Sequence, residues 1–476
     1  MDVRRSPVDD LTMAFSSQTI ARPAPGVTRS AGARRGLAAI CLGFLMITLD
    51  ATIVNVALGR IVGDLGGSVT AAQWVVNGYT IAFAALLLSA GALADRLGAR
   101  VGYLIGLGIF GAGSAVCSAA TTLGMLIAAR VAQGMGAAWL MPCSLALITH
   151  TFPERRARRR ALAIWAELSG VGLASGPVLG GVLTESLGWR AIFLVNLPVA
   201  LVALLLLWRH VTETQRHPHP LDPAGQALAV ATLSLLASGF ILAGQRGWDS
   251  TLALGLLGCG VACGGGFIVT QRTIAHPMVE PALFARRGFS LSVKIALLFN
   301  FCLYGGLFCL AIVLAKGRGF TPLATGLAML PMTLLIGLTA FASGRIVSRI
   351  GEWRTIQCGL TAGAIGAGLV AVSPDGAPLG LVIAATLPMG PVSMAMAALT
   401  ATAMADAPPD RVGLASGVLN AARQAGGALG VGALGALLRI GGGLSLHAAF
   451  AGIALAYGVG VGLAVCGARW SARRAS

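Results

Sequence analysis

Gly91-Ala-Leu-Ala-Asp-Arg-Leu-Gly98 returns 253 residues later as Gly344-Arg-Ile-Val-Ser-Arg-Ile-Gly351. Both stretches read G-x-x-x-x-R-(Leu/Ile)-G, and each follows directly on a long apolar run. Their glycines permit a tight turn. Asp95 suits a place against a helix N-terminus, where a carboxylate is favoured. Arg96 and Arg100 can donate to loop carbonyls or acids. Six apolar spans with their loops take roughly 200 residues, at about 20 residues per span. The remaining separation of about 50 fits two further spans, near 225–271, inserted between two six-span halves. Parallel repeats of this kind mark transporter folds.

Composition carries the reading outward from these turns. The chain has 476 residues, 56% hydrophobic and only 11% charged, with a mean hydropathy of +0.82. Soluble domains carry about 25% charged residues. This excludes an ordinary soluble domain, a disordered chain and a fibrous one, and leaves the bilayer as solvent. Fourteen spans are predicted, at 36–58, 71–93, 101–120, 123–147, 160–184, 191–208, 225–244, 250–271, 289–313, 322–342, 354–373, 379–404, 412–437 and 446–467. Pro388, Pro391, Pro408 and Pro409 blur the edges between 379 and 437. The expected class is an all-α integral membrane protein. Residues 1–35 form a cytosolic tail rather than a signal peptide, 36–208 the first half, and 209–288 a linker with the two extra helices. The second half covers 289–467 and a short cytosolic tail 468–476.

The net charge of +17 would suggest nucleic acid in a soluble protein. Here the cations sit in short loops, with no basic–aromatic interleaving. With the N-terminus inside, 26 Arg and Lys fall on the cytosolic side and six on the other, while Arg130 and Arg423 lie within spans. That bias follows the positive-inside rule, and its strongest marker is Phe152-Pro-Glu-Arg-Arg-Ala-Arg-Arg-Arg160. The nine cysteines lie in apolar runs without a C-x-x-C pair, so they read as small apolar residues. His217 and His219 fall short of a metal ligand set. No metal or cofactor is expected. The phosphate-binding pattern G-x-x-x-x-G-K-(Ser/Thr) is absent, which excludes direct ATP drive by this chain.

Ionisable residues inside spans are expensive and are functional candidates by default. Asp50, Arg130 and Glu167 stand out. Asp50 and Arg130 both fall in the outer halves of their spans and could pair. Glu167 lies on the inner half of span 5, on the face continued by Gly170, Ala174 and Pro177. A carboxyl alternating between an apolar setting and a guanidinium partner binds and releases a proton, which is the requirement for proton coupling. Asn55, Asn196, Asn300 and Asn420 read as interhelical glue, and Arg423 as structural. Span 5 also carries Gly172, Gly176 and Gly180 at four-residue spacing, with Pro177 and Gly181. Such a stripe lets another helix approach backbone to backbone, and Pro177 removes a donor and bends the helix.

Several stretches, taken in order, resemble the major facilitator superfamily, and within it the fourteen-helix drug–proton antiporters. Leu49-Asp-Ala-Thr-Ile-Val-Asn-Val-Ala57 resembles their first-helix motif and Gln73-Trp-Val-Val-Asn-Gly-Tyr79 the start of the second. Gly91–Arg100 resembles the loop 2–3 signature. Arg130-Val-Ala-Gln-Gly-Met-Gly-Ala-Ala138 resembles the fourth-helix motif and Gly170–Gly181 the fifth-helix antiporter motif. Gly188–Pro198, Leu221–Gly225, Gly319–Pro331 and Gly413–Gly430 resemble further blocks. Gly59 stands where the family usually has proline, Val101 where it has a basic residue, and Ala191 where it has an aromatic. The flavour is that of antibiotic exporters such as methylenomycin-resistance proteins. The resemblance implies a monomeric, non-enzymatic, proton-driven exporter of a small hydrophobic or cationic compound in the cell membrane. Asp50 would be the proton or cation-substrate site, with Arg130 as relay partner. Gly91, Asp95, Arg96, Gly98 and Arg100 would form the conformational switch. The alternatives are an uptake symporter on the same fold and, from a different class, a membrane enzyme or sensor.

Overall fold

The computed structural model describes residues 31–216, 222–374, 376–408, 411–438 and 446–475. His217, His219, the first thirty residues, Pro409 and Arg439 lie outside them. The long helices are α1 (Ala31–Asp64), α2 (Val69–Leu97), α3 (Ala99–Ser118), α4 (Leu123–Thr151), α5 (Arg155–Ser186), α6 (Ala191–His210), α7 (Pro223–Arg246) and α8 (Thr251–Thr273). They continue as α9 (Arg287–Ile312), α10 (Pro322–Ile350), α11 (Glu352–Ala371), α12 (Leu379–Asp406), α13 (Val412–Leu437) and α14 (Leu446–Ala475). Twelve of these are long and apolar enough to cross a membrane. The other two, α11 and α13, also have the length, at 20 and 26 residues. Glycines and the polar side chains Glu352, Arg354, Asn420, Arg423 and Gln424 dilute their hydropathy. The fourteen-span layout therefore fits.

Local chemistry sets the helix ends. Side chains of Thr122, Asp222, Ser250 and Thr321 accept backbone N–H groups at the starts of α4, α7, α8 and α10. The repeated motif closes on Gly98 (φ +102°) and Gly351 (φ +80°), a region that L side chains avoid. Each glycine is the single non-helical residue between two spans. The expected loop 91–100 is therefore helix through Leu97, because a glycine with positive φ reverses the chain without further residues. α1 runs unbroken through Gly59, and helix begins at Ala31 and continues to Ala475. Pro388 and Pro391 fall in a 3₁₀ segment, Leu387–Ser393, inside α12. Proline nitrogens cannot donate there.

The two halves share one packing plan. α1 packs on α5 and α6, α2 on α4, and α3 on α4 and α6. The second half repeats this, with α9 on α13 and α14, α10 on α12, and α11 on α12 and α14. Between the halves, α2 meets α13 and α5 meets α10, which is the pairing a two-fold relation requires. The α7–α8 hairpin lies against α13 and α2. We call the end where α1 begins the tail face; it also carries the Gly98 and Gly351 turns.

Candidate functional site

Five helices of the first half converge on one buried ion pair. Asp50 on α1 is 0% exposed and Arg130 on α4 is 1% exposed. Arg130 Nη1 lies 2.5 Å from Asp50 Oδ2 and also donates to Gln133 Oε1 at 2.9 Å. Its Nε donates to the Val75 carbonyl at 3.1 Å. Asp50 Oδ1 accepts from Asn196 Nδ2 on α6 at 3.2 Å and from Gln133 Nε2 at 3.4 Å. Gln133 also donates to Ser114 Oγ on α3 at 2.7 Å. The guanidinium lies 4.4 Å from the Tyr79 ring centre and 5.9 Å from that of Phe193. A buried pair is tolerated when its remaining hydrogen-bonding positions are filled, and here Gln133 of α4, Asn196 of α6 and the Val75 carbonyl of α2 fill them. Asp50 is enclosed in this conformation.

The pairing of Asp50 with Arg130 was legible as a possibility from depth alone. Gln133 and Tyr79 stand within the quoted motifs without a local sign of this role, and spacing alone marks Asn196 only as interhelical glue. Ser114 carried no signal. Glu167 does not join the network. It is exposed on α5 and makes no hydrogen bond or ion pair among the described residues.

The glycine stripe of α5 has the partner its spacing asked for. A Cβ on Gly172 would strike Thr48 Oγ1, and one on Gly176 would strike Thr52 Oγ1, both on α1. On Gly180 it would stand 2.5 Å from the Ile53 carbonyl oxygen. Gly181 faces the other half, with the Pro322 carbonyl oxygen 2.8 Å from such a Cβ. The Pro177 carbonyl abuts Gly326 of α10. α5 is thus wedged between α1 of its own half and α10 of the other.

That wedge opens toward the tail face. The Cβ approach is 3.2 Å between Gly337 and Ala174 and 3.9 Å between Gly170 and Ala340, and Gly344 has nothing within 4 Å. Glu167 continues this α5 face one turn further. At the opposite face the halves touch. Gln73 Nε2 donates to the carbonyls of Val431 and Gly432, each at 3.2 Å. Leu323 N donates to Glu185 at 3.1 Å. A cavity of about 1130 Å³ lies toward the tail face, between α2, α4, the 275–278 segment and the first turns of α13, reaching Asn420.

Gly91, Asp95 and Arg96 belong to the last turns of α2, and the carboxylate at the α3 N-terminus is Glu213. It accepts from Arg100 N at 2.9 Å and Val101 N at 3.1 Å, while Thr214 Oγ1 accepts from Ala99 N at 2.9 Å. Arg100 donates to the Trp208 carbonyl at 2.7 Å. Asp95 lines the cavity, as do the first turns of α13. The missed partner lies more than a hundred residues along the chain, so local spacing could not find it.

Two pseudo-equivalent six-helix halves, closed on one face and hollow toward the other, define a membrane transporter fold. Residues 40–431 match the family model of the Major Facilitator Superfamily, and the chain belongs to that superfamily. The methylenomycin A resistance protein of Streptomyces coelicolor is 34% identical over 89% of each chain. The tetracenomycin C resistance and export protein of Streptomyces glaucescens is 32% identical over 84% of this chain and 75% of its own. The multidrug resistance protein Stp of Mycobacterium tuberculosis is 34% identical over the same shares. Among solved structures, a POT family transporter superposes with a TM-score of 0.69 at 16% identity, covering 92% of this chain and 96% of its own. The drug-efflux relatives make the chain a transporter of that branch rather than an enzyme.

Proposed function

We propose that the chain is a proton-driven antiporter that exports a drug, antibiotic or other small hydrophobic compound across the cytoplasmic membrane by alternating access. The tail face is the cytosolic one, with both termini inside, and the chain works as a monomer of two six-helix halves with an inserted α7–α8 linker. The observation that carries this reading is the coexistence of an enclosed Asp50–Arg130 pair with a cavity toward the tail face. In the conformation described, substrate enters the cavity from the tail side while Asp50 is held by Arg130. Rocking of the halves opens the opposite face and loosens α1 against α4. A carboxylate relieved of its guanidinium in apolar surroundings takes up a proton. Return to the first conformation restores the pair and releases the proton inward. One charge moving inward is worth about 2.3 kcal/mol per 100 mV, enough to drive a neutral solute outward. Names of relatives that export or resist antibiotics support the direction.

The test is accumulation of dyes and antibiotics in an efflux-deficient bacterial host, with and without a protonophore. Lower accumulation that the protonophore abolishes is expected. Protonophore-sensitive accumulation above the control would reverse the direction to uptake, and export indifferent to the protonophore would remove the proton from the cycle.

A further inference from the structure

Arg423 on α13 is a cation inside a membrane-spanning helix whose charge is not answered. Its Nη1 donates to Asn420 Oδ1 at 2.9 Å, one turn away on the same helix. Its Nε is buried with no hydrogen-bond partner, and no carboxylate lies within 4 Å of it among the described residues. An uncompensated charge at such depth is costly and is kept where something charged or polar comes to meet it. The other intramembrane arginine, Arg130, shows the contrast, since its charge is neutralised by Asp50.

The surroundings of Arg423 are built to receive a ligand. Asn420 lines the inner end of the cavity. One turn beyond Arg423, Gly427 lets α13 approach both halves, its would-be Cβ lying 3.0 Å from the Tyr304 ring on α9 and 3.6 Å from Thr80 on α2. Tyr304 lies within electrostatic range of Arg423, and among the described residues its hydroxyl has no hydrogen-bond partner. Gln73, Asn77 and Thr80 share one face of α2, toward α13. Gln73 and Thr80 meet α13 directly, whereas Asn77 between them is 0% exposed with both amide atoms unpartnered. The seam between the halves thus presents an unmatched guanidinium and an idle phenol beyond Asn420, at the inner end of a cavity whose other charged groups, Asp95, Asp222, Glu280 and Arg411, lie on different parts of its lining.

We propose that this seam is a substrate site for acidic compounds: a hydrophobic molecule bearing a carboxylate, whose anion is bound by Arg423 with Tyr304 as a flanking hydrogen-bond group. The proposal deepens the exporter reading by naming the substrate class; only the direction of transport rests on that reading. A guanidinium suits a carboxylate because its N–H groups form a fork that matches two oxygens. Binding there completes the hydrogen bonding of an arginine that the protein alone leaves short.

The test uses the purified full chain in detergent and a panel of aromatic acids (benzoate, 2-naphthoate and fluorescein), the first two each with its neutral amide and its amine counterpart. Thermal stabilisation is read against ligand concentration. The acids are expected to stabilise the wild type at concentrations roughly tenfold or more below their amides and amines. Arg423→Gln should abolish that preference and Arg423→Lys should keep part of it, both eluting as folded monodisperse protein. Equal stabilisation by acid, amide and amine, no stabilisation by any member, or an acid preference that survives in a folded Arg423→Gln protein would overturn the proposal. Asp50→Asn keeps the acid preference, since it lies outside this site. An acid preference without protonophore-sensitive export would sink the antiporter reading and leave the acid site standing.

Discussion

Asp50 and Arg130 each depend on the other and on Gln133 and Asn196, so single substitutions separate chemistry from packing. Asp50→Asn keeps the shape and offers Arg130 an amide oxygen at 0% exposure. It is expected to leave the protein inserted and monodisperse while abolishing protonophore-sensitive export, measured as dye accumulation at matched membrane levels. Arg130→Leu removes the cation and leaves a buried carboxylate without its charge partner, a loss on the order of 3–5 kcal/mol; the measured consequence is a lower melting temperature or loss of folded yield. Unaltered export by the Asn variant would retire Asp50 from coupling. Glu213 offers a separate residue-scale test. It accepts two N–H groups at the start of α3, so Glu213→Ala should cost about 1 kcal/mol, as loss of a cap does, read as a modest fall in melting temperature.

Among the helices, α5 is caught between α1 of its own half and α10 of the other. Its Gly172–Gly176–Gly180 stripe admits the α1 backbone, while Pro177 and Gly181 meet α10. A side chain at Gly176 has nowhere to go, because Thr52 already occupies the position its Cβ would take. Gly176→Leu is expected to force α1 and α5 apart, costing roughly 1–3 kcal/mol through overpacking, and to stop transport. The comparison is Gly344→Leu, which enters open space and should leave stability within about 0.5 kcal/mol. A fully active, stable Gly176→Leu protein would show that this face is not an interface.

At the scale of the whole molecule, closure of one face and opening of the other is a statement about two halves moving against each other. Gly59 of α1 and Ala315, just past α9, belong to different halves and stand 3.3 Å apart from would-be Cβ to Cβ. Disulfides span Cβ separations of about 3.5–4.5 Å, within a small adjustment of this value. Gly59→Cys with Ala315→Cys, in a background whose native cysteines are replaced, should cross-link under mild oxidant and halt export. Reduction should restore it. Efficient cross-linking without loss of transport would mean that this face does not open in the cycle.

The sequence by itself determined the class and the plan. Apolar content, the charge bias of the loops and the recurrence of Gly91–Gly98 at Gly344–Gly351 are properties of composition and spacing, and the bilayer constrains them so strongly that helices follow. The α5 stripe was legible for the same reason, since glycines four apart share a face whatever packs there. Tertiary structure decided which groups meet. The Asp50 carboxylate draws on α4 and α6 from positions 80 to 146 residues away, and Glu213 reaches the α3 N-terminus from 113 residues beyond Arg100. The same holds for Arg423. In sequence it matches Arg130 as an intramembrane cation, and only the packing of α13 against α2 and α9 leaves one neutralised and the other unanswered. Helix propensity and hydropathy act along the chain, whereas charge pairing acts through space, and the second was fixed only when the helices came together.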